Sequence, residues 1–421
     1  MNILIRQARI FSERSDFNGK TMDLLIEGGT LTEIKKSISP ESGTKVIEEE
    51  GLCVSDGWID LQVVACDPGF EHKENLESVI KAAASGGFTG ICLHSNTQPP
   101  LDSKAQIEYI LGKTQNKVVD VWPLGTITQG GKGKDISEMY DMQKAGAPGF
   151  SDYKQPLRDA GLLLRALQYS SGIQSFIIAH CQDESLIAGG QMNEGEQSTA
   201  LGLKGMPALA EELMLQRNLS VLEYSGGRLH IPTISSKGSV DLIRKAKSSG
   251  LNVSCGVAAV NLLLDDSYLK DFESNFKVNP PLRTKKDIAA LRSAVESGLI
   301  DVIVSDHNPQ DSESKELEFD LAEFGMIGLQ TTFSCAFEGL KEKNLESIIR
   351  CFTSGPRSVL RLPEQIVQVG SAANLTLFNP KGETVLTEKN NASRSVNSPF
   401  LNKSLAGRVV GVINGSKSFF N

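Results

Sequence analysis

Over four short stretches at the start of the chain, residues 3–10, 22–27, 32–35 and 44–48, apolar and polar residues alternate. A period of two sends successive side chains to opposite faces, so these stretches predict strands. Gly28-Gly29, between the second and third, predicts a hairpin turn. The same texture returns at the far end, over residues 374–378, 384–386 and 407–414. Neither set can close a core alone. Between them, from about 56 to 365, apolar strand-like runs alternate with stretches of helical spacing. Examples are the runs 88–93, 176–180 and 301–305, preceded by predicted helices at 75–85, 159–170 and 286–297. Strand then helix, repeated, implies a parallel sheet. Eight repeats over this length imply a (β/α)8 TIM-type barrel, with chemistry expected at the C-terminal ends of the strands. Residues 388–404 are polar and turn-rich and predict an extended surface segment.

The stretch that opens the barrel is Gly57-Trp58-Ile59-Asp60-Leu61-Gln62-Val63-Val64-Ala65-Cys66-Asp67-Pro68-Gly69. It reads as a buried strand running into a turn, with Asp-Pro-Gly as the breaker.

Composition removes several functions. The 421 residues carry a net charge of −8, with Lys and Arg spread along the chain, which argues against nucleic acid as a partner. No apolar run approaches the roughly 20 residues of a membrane span. The N-terminus reads as a strand rather than a signal peptide. The seven cysteines are scattered, without Cys-x-x-Cys spacing, as expected of reduced buried thiols in a cytoplasmic protein.

Several motifs occur in a fixed order. They are His94-Ser95-Asn96-Thr97-Gln98-Pro99-Pro100, then Lys277-Val278-Asn279-Pro280-Pro281-Leu282-Arg283, then Ser305-Asp306-His307, then Phe324-Gly325-Met326-Ile327-Gly328-Leu329. Together with the opening strand they resemble the class I dihydroorotases of the amidohydrolase superfamily, over essentially the whole chain. The resemblance implies a barrel over 56–365 and a small discontinuous β-sandwich built from 1–55 plus 366–421. It also implies a dihydropyrimidine ring opened or closed by a zinc-bound hydroxide. Zinc lowers the pKa of its water to about 7, a carboxylate shuttles the proton, and three or four protein ligands hold the metal.

Transferred position by position, the resemblance leaves that ligand set incomplete. The two histidines of the first strand fall on Gln62 and Val64. The aspartate position falls on Tyr153, unless an insertion restores the neighbouring Asp152. The fifth-strand histidine is kept as His180. The next ligand position falls on Thr233, with His230 three residues upstream, where a structural hydrogen bond is the simpler reading. Asp306 is kept, as a vestigial catalytic group and metal ligand. The substrate-binding arginine becomes Cys66, read as an inert buried thiol. Asn96 and Asn279 keep the two substrate asparagines, equally readable as loop residues that satisfy backbone groups. Gln310 and Val260 stand where the family has further polar site residues.

Retained metal is therefore not expected; zinc would be the ion if any remained, on His180, Asp306 and a group such as His230. Three functions follow. The first is an inactive dihydroorotase-like protein kept as a structural partner, as some homologues lacking the metal histidines are for aspartate carbamoyltransferase. The second is a dihydroorotase or related cyclic-amide hydrolase working with a weak or single metal. The third is a sensor binding a dihydroorotate-like ligand through Asn96 and Asn279. A homodimer is the expectation by analogy with the superfamily.

Overall fold

The structure is a computed structural model that describes residues 2–341 and 344–421. Eight parallel strands form the barrel. The first three, Trp58–Val63, Phe88–Leu93 and Asp120–Pro123, pair in sequence. The other five, Phe150–Ser151, Ile177–Ile178, Leu229–Ile231, Val253–Ala258 and Val302–Val304, do the same. Single bridges at Gly125–Phe150 and Val63–His307 close the ring. Asp60 reinforces the second closure, accepting hydrogen bonds from Gln62 N and Ser305 N, both at 2.9 Å. All of Trp58–Val63 is buried, as expected of a strand covered on both faces.

Several helices between the strands start where side chains satisfy free backbone N–H groups. Asn75 and Ser78 form a reciprocal cap on Leu76–Ser85, and Thr284 and Asp287 one on Lys285–Glu296. These helices begin and end within two residues of the positions their spacing predicts.

The chain termini share one eight-stranded sheet. Asn374–Val385 pairs with Cys53–Asp56 on one side and Ser404–Asn414 on the other. Gly28 and Gly29 turn Thr21–Glu27 into Thr30–Lys35 with φ of 57° and 87°, the left-handed pair that a tight hairpin needs. A last strand, Lys417–Phe420, was not foreseen from the sequence. Trp58 joins the sheet to the barrel, its ring lying 5.0–6.2 Å from those of Phe88, Phe333, Phe352 and Phe378. Such a cluster buries on the order of 150–250 Å² per ring.

The polar segment 388–404 departs from expectation. Ser393, Ser395, Asn397 and Ser398 are buried. Ser393 donates to Glu74, and Asn397 meets Gln310 N, Asn308 O and Gly325 O. The centre of the segment is polar because it hydrogen-bonds to the barrel, while its two ends face water.

Candidate active site at the barrel mouth

Three strand ends at the mouth carry a non-glycine residue in left-handed backbone: Cys66 (φ 58°), Tyr153 (φ 57°) and Asp306 (φ 49°). Each such residue costs on the order of 1–3 kcal/mol, and such strain collects at functional sites.

Asp306 is the centre of the constellation. Its Oδ2 accepts from Lys154 Nζ at 2.8 Å, and the same ammonium donates to the Asn279 carbonyl at 2.5 Å. Both side chains are almost enclosed, 12% exposed for Lys154 and 8% for Asp306. Burial pushes the Asp306 carboxyl up; the Lys154 charge beside it pulls the other way. Lys154 also lies 5.6 Å from the centroid of the Tyr153 ring.

His180 donates from Nε2 to Gln182 Oε1 at 3.1 Å, and His94 from Nε2 to the Leu61 carbonyl at 3.1 Å. Burial first, and the Lys154 charge with it, lowers the pKa of each to about 4. Both rings are therefore neutral near pH 7, with Nδ1 free to accept. His230 pairs its Nδ1 with Ser254 Oγ at 2.8 Å, and its pKa falls to about 3, first through burial.

Buried polar atoms without a hydrogen-bond partner concentrate here. Gln62 Oε1, Tyr153 OH, Thr233 Oγ1, Asn279 Oδ1 and Asp306 Oδ1 belong to strand ends and loops at the mouth; one ring nitrogen each of His94, His180 and His230 lies in the barrel interior. Natural proteins leave few such atoms except at functional sites.

The positions the family uses for metal do not make a metal site. Val64 has no donor, and Gln62, Tyr153 and Thr233 are poor zinc ligands. Asp152 does not substitute for Tyr153. Its carboxylate is turned into the neighbouring loop, accepting from Ile127 N, Thr128 N and Thr128 Oγ1 at 2.6–3.0 Å. Of the two retained positions, His180 is tied to Gln182 and Asp306 is neutralised by Lys154. Among the described residues no group of three His, Cys, Asp or Glu side chains is disposed to hold a metal ion. The donor set does not fit zinc, so no step of chemistry is routed through it.

Other site candidates are placed as follows. Asn279, before a cis proline, borders the mouth and supplies both a used carbonyl and a free side-chain oxygen. Asn96 lies half-buried in the loop after Phe88–Leu93. Cys66 is buried, its thiol pushed up to about 12 by burial and then by Glu74, which leaves it un-ionised and a weak nucleophile. The seven cysteines are all buried and free. Gln310 accepts from Lys73 Nζ at 2.6 Å and donates to the Phe324 carbonyl. Val260 is buried in the short helix Ala259–Leu263.

Lys154 is the residue that motif reading missed. It sits one place beyond the aligned ligand position, and a lone lysine after a strand gives no pattern to read.

The motif Lys277–Arg283 does structural work. Lys277 Nζ donates to the carbonyls of Phe319, Asp320 and Ala322. Arg283 binds Asn193 Oδ1, the Met206 carbonyl and Ser235 Oγ, with Glu211 at 3.8 Å.

Comparison with known proteins agrees with this architecture. Residues 51–239 match the family described as dihydro-orotase-like. A dihydroorotase of Trichlorobacter lovleyi is 36% identical over 424 residues, covering all of both chains. One of Acetivibrio thermocellus is 38% identical over 411 residues, 97% of this chain and 96% of its own. Among solved structures, the L-hydantoinase (dihydropyrimidinase) of Arthrobacter aurescens superposes with a TM-score of 0.84 at 23% identity, covering 99% of this chain and 95% of that one. The D-hydantoinase (dihydropyrimidinase) of a Thermus species gives 0.79 at 21% identity, with 100% and 97% coverage. At those identities the structures speak for the fold alone.

Proposed function

This chain belongs to the dihydroorotase family, and we propose that within it the protein is a non-catalytic member, kept for its surface as a structural partner. The observation that carries the proposal is the Lys154–Asp306 ion pair in a mouth that keeps His180 but has Gln62, Val64, Tyr153 and Thr233 at the remaining family ligand positions. Ring opening at neutral pH needs an activated water, and ring closure, its reverse, must expel water from a polarised carboxyl group. Without metal, the free groups at the mouth are neutral histidines, an un-ionised tyrosine whose pKa burial raises well above its usual value, and a paired carboxylate. None of these generates hydroxide from water near pH 7. The partner we propose is aspartate carbamoyltransferase, in a cytoplasmic complex with this chain as a homodimer.

The relatives' names support a second reading, a dihydroorotase or related cyclic-amide hydrolase with a weak or single metal. Nothing in those names speaks for lost activity; the loss is argued from the residues alone. Turnover separates the readings. The non-catalytic reading expects no ring closure of carbamoyl aspartate by the purified protein with zinc supplied, and co-purification with the carbamoyltransferase. Zinc-dependent ring closure would establish the second reading instead.

A further inference from the structure

We infer that Lys154 is the resident cation of the barrel mouth, its ammonium standing between Asp306 and the Asn279 carbonyl in the electrostatic place that a metal takes in this family. The inference deepens the metal-free reading above, but it has its own evidence.

An enclosed carboxylate needs a counter-charge. Asp306 has one positive group in hydrogen-bond contact, Lys154 at 2.8 Å. The same ammonium is the charge felt by both buried rings, His94 and His180. One cation therefore organises a carboxylate and a backbone carbonyl drawn from different strands, near two neutral imidazoles held by Leu61 and Gln182. A divalent ion would do the same by coordination. An ammonium does it through hydrogen bonds, with no empty orbital for water, so it supplies charge balance without activating a hydroxide.

The local backbone is set for this exchange. Tyr153 in left-handed conformation reverses the chain after Phe150–Ser151, and Asp152 is spent on the neighbouring loop. The next side chain, Lys154, is the one that reaches across to the last strand. Its three N–H groups have two acceptors, leaving one donor beside the partnerless Asn279 and Asp306 oxygens.

Thermal unfolding of charge variants in the full chain tests the inference. Lys154→Met and Asp306→Asn should each lower Tm by on the order of 5 °C, and the double variant should lose much less than the sum. Lys154→Arg should recover most of the loss. For Lys154→Ala, n-propylammonium, which restores the missing carbons and charge, should raise Tm. n-Propanol and zinc should not. Additive losses in the double variant, or rescue of Lys154→Ala by zinc and not by propylammonium, would overturn the inference. Should Lys154→Ala not fold, the Arg variant and the double variant decide the matter. Zinc-dependent turnover by the wild-type protein would sink the non-catalytic reading and leave the coupling measurement standing; absent coupling would sink the Lys154 assignment whatever the turnover.

Discussion

Two lysines, the buried Lys277 and the largely enclosed Lys154, show how differently the molecule treats its framework and its mouth. Lys277 spends its three donors on three carbonyls of one strap, with aromatic faces of Phe319 and Phe324 around it. Lys154 meets a carboxylate and one carbonyl, among groups that retain unused hydrogen-bonding atoms. The polar groups that Lys277 and Arg283 themselves bind are matched, which is what folding alone rewards. Around Lys154 they are not, and the backbone is strained at three strand ends. Strain and unmatched groups together mark the mouth as the candidate functional region. Lys277 and Arg283 thus tie framework segments together, whereas Lys154 joins two groups at the mouth.

Substitutions can break or sharpen this contrast. The largest effect is expected in the framework. Arg283→Ala strips the counter-charge from buried Glu211 and the donors from three further acceptors, and should destabilise by about 3–5 kcal/mol in denaturant unfolding. Lys277→Met leaves three carbonyls without their donor and should cost about 2–3 kcal/mol by the same measurement.

A third effect depends on pH. Burial raises the pKa of Glu74, but His307 at 3.3 Å, Ser393 and Ser78 outweigh it, and the folded value lies below the ordinary carboxylate one. The folded state then binds fewer protons than the unfolded state, so this contribution is present above the usual glutamate range near 4.5 and is lost as pH falls through the depressed folded value. Glu74→Gln should flatten the acid limb of a stability–pH curve; an unchanged limb would remove Glu74 from the account.

The smallest effect is expected at Thr233, an unmatched group of the mouth outside the Lys154–Asp306 pair. Thr233→Val deletes a buried hydroxyl that has no partner, and stability should stay within about 1 kcal/mol or rise slightly. A loss as large as that of the framework variants would erase the distinction between the two regions.

Much of this was legible in the sequence where local pattern decides the outcome. The glycine pair at 28–29, the helices at 75–85 and 286–297, and the barrel repeat all follow from short-range chemistry. The first-strand changes at Gln62 and Val64 were equally plain, because a side chain either offers a donor or does not. What could not be read was set by contacts far along the chain. Lys154 finds Asp306 across 152 positions. Ser393 finds Glu74 across 319, turning a polar stretch that looked like surface into a buried strap. Asp152 kept the right chemistry next to the right place, and only its hydrogen bonds to Ile127 and Thr128 reveal that it points elsewhere.

The central claim is that the mouth is built around an internal ammonium and holds no metal. Zinc titration of the purified full-length protein by calorimetry, with metal analysis of the starting material, addresses it most directly. The account predicts protein that carries no stoichiometric zinc and gives no saturable binding heat at micromolar zinc. About two equivalents of tightly bound zinc, released in proportion when Asp306 or His180 is replaced, would contradict it.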